Sequence, residues 1–345
     1  MSASTAPSSE ASTGAAAVTG ASEHMTATSR PVWTAYLPIA IAVALLALVP
    51  LVLGGSRTYM GLAIGALVFA GYATSFNVIF GATGQLFLCL GALAGVAGYT
   101  SAILTDRAGM PLVIGLLAGT ALACLLGGLF SWISVRRSLD TIFTGIVTLT
   151  FALGFENLLL GQREWTGGET GLVIDTGSEG FLAGDTGGYY TFLAVLALFL
   201  ILFRLLQRSH YGWAFRALKD DEMTAELAGV DVARYRIAAG AIGSAMIGVI
   251  GALYAHHEGF VSPTSYAFHH VDVRTLVMLA FGGINTLLGP VIGAVSFGFI
   301  DEWLRDLGQL RVAIYGAVLV SLFLGFSDGV GPAVAKAVKR VTGRR

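Results

Sequence analysis

The sequence predicts an all-α polytopic membrane protein with about eight to ten transmembrane helices, some of them short or broken. Apolar residues make up 55% of the 345 residues, and charged residues only 12%, about half of the usual 25%. The mean hydropathy is +0.76. Most apolar residues lie in runs of about 20, the length that spans the hydrocarbon core of a bilayer. So few charges cannot cover a water-facing surface.

The predicted elements run in order along the chain. Residues 1–33 are rich in Ser, Thr and Ala and are expected to form a disordered cytoplasmic tail. A transmembrane region over 34–330 comes next, and a basic cytoplasmic tail, 331–345, ends the chain. The apolar runs of the transmembrane region lie near 36–53, 59–80, 84–104, 109–132, 141–161, 189–206, 235–257, 272–300 and 311–327.

Lys and Arg near the ends of the runs indicate the orientation, because cytoplasmic loops carry an excess of them. The 207–234 segment and the C-terminal tail are both basic and are expected inside. The 162–188 loop holds five acidic residues beside Arg163, which suits the outer side. Counting crossings from that loop places both termini in the cytoplasm.

The run over 272–300 must cross an even number of times if the C-terminus is inside. It is 29 residues long and is interrupted by Gly282-Gly283 and Gly289-Pro290. Breaks at membrane depth are tolerated only where protein surrounds them or they line a cavity. We expect two short crossings or a re-entrant pair.

The 46 glycines predict close helix packing, because small residues four apart let backbones approach. Pairs with this spacing are Gly61/Gly65, Gly91/Gly95, Gly115/Gly119 and Gly289/Gly293.

Several classes of function are excluded or disfavoured. The net charge of −1 gives no footprint for nucleic acid. Cys89 and Cys124 lie in apolar runs and are expected to be packed thiols rather than a disulfide or zinc site. No Gly-Lys pair occurs, so the phosphate-binding loop of P-loop ATPases is absent. No carboxylate pair or His cluster has a catalytic spacing, which disfavours an enzyme.

The inner segment 207–234 contains a predicted short amphipathic helix. Asp220, Asp221 and Glu222 are expected in its first turns, where carboxylates favour the positive end of the helix dipole. Gly229 is expected to end it as a left-handed cap. Apolar side chains expected on one face are those of Leu218, Met223, Leu227 and Val230. On pattern alone, a docking element and a loop lying on lipid headgroups are equally good interpretations.

Four stretches carry a resemblance to a known family. They read GWAFRALKDDEMTAELAGVDVARYRIAAGAIGSAMIGVIGALYAHHEGFVSPTSYAF (212–268), LAFGGINTLLGPVIGAV (279–295), DTIFTGIVTLTFALGFENLLL followed by TGGETGL (140–160 and 166–172), and the weaker NVIFGATGQLFLCLGALAGVAGYTSA (77–102). Over most of 60–330 the chain resembles the branched-chain amino acid ABC permease family, in its second-permease branch.

The resemblance implies a permease subunit in the bacterial inner membrane that does no chemistry and binds no cofactor or metal. ATP and Mg²⁺ would be used by separate ABC ATPase subunits. A homologous second permease and a periplasmic or lipid-anchored substrate-binding protein would complete the importer. The residues that the resemblance places in the ATPase-coupling loop are Arg216, Lys219, Asp220, Asp221, Glu222, Ala225, Glu226 and Gly229.

The resemblance also suggests positions on the translocation path. Gly84 and Gln85 match the family motif, whereas Phe87 and Cys89 replace polar groups that the family commonly has there. Glu156 stands near the usual acidic position. It is interpreted equally as a polar lining of the outer mouth and as a snorkelling or helix-pairing carboxylate.

At the outer side, Thr166, Gly167, Gly168 and Glu169 form a turn that on pattern alone is best interpreted as an ordinary loop. The resemblance suggests instead that these residues contact the binding protein. The polar turn 262–265 is a second candidate for that contact. His256 and His257 are adjacent, and neighbouring helix residues point in different directions. An interfacial role is therefore favoured over metal binding.

The expected cargo is a branched-chain amino acid, with urea, amides and aromatic acids as related alternatives. A secondary transporter or channel that works without an ATPase is the alternative from another class.

Overall fold

The computed structural model describes residues 36–53, 56–174, 184–220 and 222–304, with positions 310, 313, 314 and 317. This part of the chain is almost entirely helical, as predicted, and its β-structure is one pair of two-residue strands. The predicted tails, residue 221 and most of the run near 311–327 lie outside the described residues. The chain divides into two units at Ile39, and the helical assembly belongs to the unit that begins there.

The helices are α1 (Leu37–Ala47), α2 (Val49–Leu53), α3 (Arg57–Phe76), α4 (Leu90–Asp106), α5 (Leu112–Arg136), α6 (Thr141–Gly161), α7 (Arg163–Thr166), α8 (Gly184–Arg208), α9 (His210–Asp220), α10 (Glu222–Leu227), α11 (Val232–Glu258), α12 (Phe268–Gly282) and α13 (Gly289–Trp303). A π-helical turn, Asn77–Gly81, extends α3, and 3-10 turns lie at Gly168–Thr170 and Pro263–Tyr266. Strands β1 (Leu172–Val173) and β2 (Phe260–Val261) pair antiparallel.

Five helices of the described residues are long and apolar enough to cross a membrane. They are α3 with its π-helical turn, α5, α6, α8 and α11, and they hold 21 to 27 residues each. Each coincides with a predicted apolar run. The chain is therefore a multi-pass membrane protein, and the total number of crossings stays a prediction.

Contacts between connecting segments define two ends of the helical assembly. At the α9 end (77–85, 136–141, 207–231 and 283–288), Thr141 Oγ1 donates to the Gly84 carbonyl. At the ribbon end (106–112, 162–174, 184–189 and 258–268), β1 pairs with β2 and Arg107 Nη2 donates to the Glu164 carbonyl. Every long helix therefore runs between these two ends.

Close backbone approach holds α4, α5 and α11 together in the interior. A Cβ placed on Gly119 would collide with the backbone of Ala97, and one on Gly251 with the backbone of Ala94. The predicted close approach of helix backbones is confirmed at Gly115/Gly119 and Gly289/Gly293. Gly91 and Gly95 instead lie against Tyr266 of the 3-10 turn, so there the small residues make room for a connecting segment and not for a helix. The prediction is wrong for Gly61/Gly65, since no described heavy atom lies within 4 Å of a Cβ at either position.

The run near 84–104 is not one helix, which corrects the simple span that its hydropathy suggests. Residues 84–89 lie outside any helix, and α4 begins only at Leu90. Gly84 adopts a left-handed conformation (φ +72°) that ends the helical geometry continued from α3. Phe87 and Cys89 are fully buried, so protein encloses this non-helical backbone.

The break over 283–288 lies where the glycines predict it, and it separates two antiparallel helices of 15 residues. The side chain of Asn77 holds the connection. Its Oδ1 accepts from the Asn285 backbone N–H (2.7 Å), and its Nδ2 donates to the Thr286 carbonyl (2.9 Å). α13 returns to the ribbon end, where Phe299 shares a cavity with Tyr59 and Tyr189. α12 and α13 are thus two short antiparallel helices joined by a break, and both interpretations, two short crossings and a re-entrant pair, stay open.

The glycine contacts predict a stability difference between two alanine variants. Gly251→Ala should lower the free energy of unfolding by about 1–3 kcal/mol, because the added methyl overpacks against α4. Gly61→Ala is the matched control and should be neutral or stabilising, since space is open there and Ala favours helix. Thermal unfolding of both purified variants in detergent tests this. Equal midpoints would contradict it.

Candidate functional site

The 207–234 segment forms two helices rather than the single short one predicted. α9 runs from His210 to Asp220, and α10 from Glu222 to Leu227. Asp220 therefore ends α9 instead of lying in the first turn of the next helix, which corrects the prediction. Glu222 does begin α10, while Asp221 falls outside the described residues.

Gly229 ends α10 as predicted. Its φ of +84° is left-handed. The Gly229 N–H donates to the Glu226 carbonyl (2.9 Å), and the Val230 N–H donates to the Ala225 carbonyl (3.0 Å). These two bonds form a complete Schellman motif, which satisfies carbonyls that the helix itself leaves unpaired. The end of α10 is thus fixed by its own backbone.

An aromatic cluster attaches α9 to the start of α11. The rings of Tyr211, Phe215 and Tyr235 lie 5.3 to 6.3 Å apart between centroids. The same cluster packs against Ala82, just after the π-helical turn of α3. A force on α9 therefore reaches both α11 and the end of α3.

The predicted apolar face divides into two parts. Leu218 and Val230 are buried with Ala225, so they hold the segment on the bundle. Leu227 is 84% exposed, and Trp213, Arg216 and Glu226 of the same segment are exposed as well. The accessible surface of the segment is therefore a mixed apolar and charged patch at the tip of α10 and along α9.

A cavity of about 260 Å³ connects α9 with the broken segment. Its walls include Phe215 and Arg216 from α9, Val78 from the π-helical turn, Phe203 from α8, and Asn285 from the break. Asn285 is the residue that Asn77 holds. The broken segment near Gly282, Gly283, Gly289 and Pro290 is therefore placed beside α9 rather than at the ribbon end.

Gly84 and Gln85 lie at the α9 end in a buried setting. The Gln85 Oε1 accepts from Ser131 Oγ (3.1 Å) and from Thr83 Oγ1 (3.4 Å). Its Nε2 has no hydrogen-bond partner in the described part of the chain. In this conformation Gln85 is closed off from solvent.

Glu156 is not brought together with Gln85. It lies on α6, fifteen residues beyond Thr141, which bonds to Gly84. At 1.5 Å per residue this separation is about 22 Å along the helix. Glu156 is half-buried near the ribbon end, and both interpretations of its role stay open.

At the ribbon end, the 166–169 turn is held by its own hydrogen bonds. Thr166 Oγ1 donates to the Leu159 carbonyl and accepts from the Gly168 N–H. Thr166 and Gly168 are buried, so they shape the turn, whereas Glu169 is exposed and Gly167 is half-buried. In the 262–265 turn, Thr264 and Ser265 are exposed.

The two adjacent histidines face different neighbours. His256 is buried, and its Nε2 lies 2.8 Å from Ser101 Oγ on α4. His257 packs edge-on against Phe192 of α8. No group of three potential metal ligands occurs among the described residues.

Asp272 is a structural residue whose role sequence reasoning missed. Its carboxylate is 1% exposed and accepts from the backbone N–H groups of Leu90 (2.6 Å) and Gly91 (3.1 Å). The side chain thus caps the N-terminus of α4 inside the bundle, where unpaired N–H groups are costly. An acidic residue within an apolar run was the available signal, but its partners lie 182 and 181 residues away.

A polar cavity of about 300 Å³ in the ribbon-end half was also missed. It lies between α3, α11, α12 and the 263–266 turn. Its walls hold Tyr72, Tyr254, His270 and Arg274. Distant segments of the chain form it, and no single motif marks it.

These features define a multi-pass membrane protein with a helical segment presented at one end. The chain belongs to the family described as "Branched-chain amino acid transport system / permease component", whose profile matches residues 62–327. It is thus related to the permease components of transport systems.

Relatives in this family include permeases for two kinds of cargo. The high-affinity branched-chain amino acid permease LivM of Escherichia coli K12 is 27% identical, covering 84% of this chain and 73% of its own. LivH of the same organism is 24% identical, covering 71% and 84%. The fructose import permease FrcC of Rhizobium meliloti is 23% identical, covering 79% of each. No solved structure matches the chain.

The Asp272 cap predicts a graded loss of stability. Asp272→Ala should lower the free energy of unfolding by about 1–3 kcal/mol for each buried N–H that it leaves unpaired. Asp272→Asn keeps an acceptor oxygen and should lose less. Thermal unfolding in detergent is the measurement.

Asp140 supplies the control for this series. It directly precedes α6, is exposed, and makes no side-chain capping bond to that helix. Asp140→Ala should leave the midpoint nearly unchanged. If Asp272→Ala behaves in the same way, the carboxylate does not support α4.

Proposed function

We propose that the chain is the permease subunit of an ATP-driven ABC importer for branched-chain amino acids or related small solutes. The observation that carries the proposal is the exposed surface of α9 and α10, firmly attached to the bundle and capped by Gly229. A loop lying passively on headgroups needs no such attachment. The family membership and the named LivM and LivH relatives support the same function.

In this proposal, ATPase subunits dock on the patch around Leu227, with Arg216, Lys219, Asp220, Asp221, Glu222, Ala225, Glu226 and Gly229 in the contact segment. ATP and Mg²⁺ act in those partner subunits, and this chain performs no catalysis. Closure of the ATPases pushes α9, and the Tyr211–Phe215–Tyr235 cluster passes the movement to α11. The cavity beside Asn285 gives the 283–288 break room to respond.

The proposed orientation places the α9 end in the cytoplasm of a bacterium and the ribbon end outside its inner membrane. The basic residues Arg136, Arg137 and Arg216 at the α9 end support it through the positive-inside rule. Both termini are then cytoplasmic. A substrate-binding protein docks near Glu169, and a homologous second permease packs against exposed apolar helix faces of the bundle.

A sugar is the second candidate cargo, because the fructose permease FrcC and the ribose permease RbsC of Haemophilus influenzae also match. Branched-chain amino acids are favoured by the LivM match, which covers more of this chain. Urea, amides and aromatic acids stay as related alternatives. Ligand binding by the cognate binding protein distinguishes these cargos directly.

The coupling surface is tested by co-purification. Leu227→Asp should abolish co-purification of the ATPase, because it places a charge in the centre of the apolar contact. Glu222→Ala combined with Gly229→Ala should weaken it, since a left-handed Ala costs about 1–2 kcal/mol. Val173→Asp, an equally exposed apolar position at the ribbon end, is the control and should retain the ATPase. Undiminished co-purification with Leu227→Asp would refute the docking site.

The energy source separates the importer from a secondary transporter. Leucine uptake should be lost when the ATPase gene is deleted and should survive an uncoupler in the short term. Uptake that continues without the ATPase and collapses with the uncoupler would show a secondary transporter instead.

A further inference from the structure

The polar cavity near the ribbon end has a floor and a mouth of different character. Tyr72, Val68 and Val271 are buried and form its inner part. Thr264 and Ser265 are exposed and stand at its edge. The cavity therefore reaches from the ribbon-end surface to the buried faces of α3 and α12, and its volume of about 300 Å³ accommodates a small solute.

Arg274 is the distinctive group of this cavity. It lies on α12, and its guanidinium is 6.0 Å from the centre of the ring of Phe69, which stands midway along α3 and its π-helical turn. A half-buried cation inside a transmembrane helix is costly and marks a functional site by default. Guanidinium groups match carboxylates with two parallel hydrogen bonds, which adds orientation to the attraction.

The other walls complement a carboxylate that carries an aliphatic chain. Glu258 lies four residues, or about one helical turn, beyond Tyr254 on α11 and is exposed. This places one carboxylate beside the cavity, opposite in charge to Arg274. Val68 and Val271 provide apolar surface deeper inside. A cation, an outer carboxylate and an apolar floor together match the three parts of a zwitterionic aliphatic amino acid.

We propose that this cavity is a substrate subsite on the translocation path. Arg274 binds the carboxylate of the incoming amino acid there, adding to the contacts that the guanidinium already makes. The inference rests on the proposed function and goes further, because it assigns this chain a part in selecting the cargo. A sugar offers no carboxylate and is not held at this position.

Gly65 gives access to the cavity without disturbing it. It lines the cavity, and a Cβ there has no described heavy atom within 4 Å. Gly61, one turn nearer the ribbon end on α3, is exposed, equally open and outside the cavity lining. Gly65→Cys and Gly61→Cys are therefore a matched pair, with wild-type Cys89 and Cys124 as the labelling background.

The experiment measures thiol modification in right-side-out membrane vesicles that contain the complete importer. Two reagents are compared, an anionic sulfonatoethyl methanethiosulfonate and a cationic trimethylammonium methanethiosulfonate. The ratio of the anionic to the cationic modification rate should be about fivefold higher for Gly65→Cys than for Gly61→Cys. The reason is the Arg274 charge beside the site. In Gly65→Cys, millimolar leucine or 4-methylpentanoate should slow modification, whereas 3-methylbutylamine and fructose should not.

Arg274 variants complete the test. In the Gly65→Cys background, Arg274→Gln should remove both the charge preference and the protection by 4-methylpentanoate. Arg274→Lys should keep the charge preference and lose part of the protection, because it cannot bind two oxygens in a plane. A charge preference that Arg274→Lys keeps and Arg274→Gln loses would show that the charge itself is recognised, because misfolding would remove the preference in both variants.

Three results would overturn the subsite: no charge preference at Gly65→Cys, protection by fructose or by the amine, or protection that survives Arg274→Gln. ATP-dependent leucine uptake by the wild-type vesicles is measured in parallel. If leucine uptake depends on ATP but substrates do not protect Gly65→Cys from modification, the subsite is rejected and the importer function is retained. Protection without ATP-dependent uptake rejects the importer and retains a carboxylate site.

Discussion

Every backbone N–H and C=O at membrane depth needs a partner within the protein, and this constraint governs the whole arrangement. Regular helices satisfy it alone, but the chain leaves helical geometry at 84–89 and at 283–288. Side chains from distant segments compensate at both places. Asp272 pairs the N–H groups at the start of α4, Thr148 Oγ1 accepts from the Leu88 N–H, and Asn77 bonds both ways to the second break. The first break is thus held by a side chain of α12, and the second by a side chain at the end of α3.

The same contacts decide which parts of the molecule move together. Asp272 joins α12 to α4, whereas Asn77 joins the end of α3 to the turn between α12 and α13. The aromatic cluster around Tyr235 joins α9 to α11. A displacement at the proposed ATPase surface therefore reaches α12, the helix that carries Arg274, through a short series of packed elements.

Local features were predictable from sequence, whereas long-range pairings were not. The five long helices follow from run length, the end of α10 follows from Gly229, and the second break follows from its glycines. The helix α9 was missed because Asp220, its last residue, suits the start of the next helix equally well. The extended 84–89 segment was missed because hydropathy is the same for helix and enclosed strand-like backbone. The Arg274 cavity depends on α3 and α12, about 200 residues apart, so no local pattern encodes it.

The short α12–α13 hairpin has a consequence for the surrounding lipid. Fifteen helical residues rise about 22 Å, whereas a typical hydrocarbon core is about 30 Å thick. Ile292 and Phe299 of α13 are exposed in the described structure, so this flank meets its surroundings directly. If the hairpin crosses the bilayer with lipid on this flank, that lipid has to thin to match, at a cost of fractions of a kcal/mol per Å. The thickness of the membrane would thus affect the energy of the same hairpin that carries Arg274.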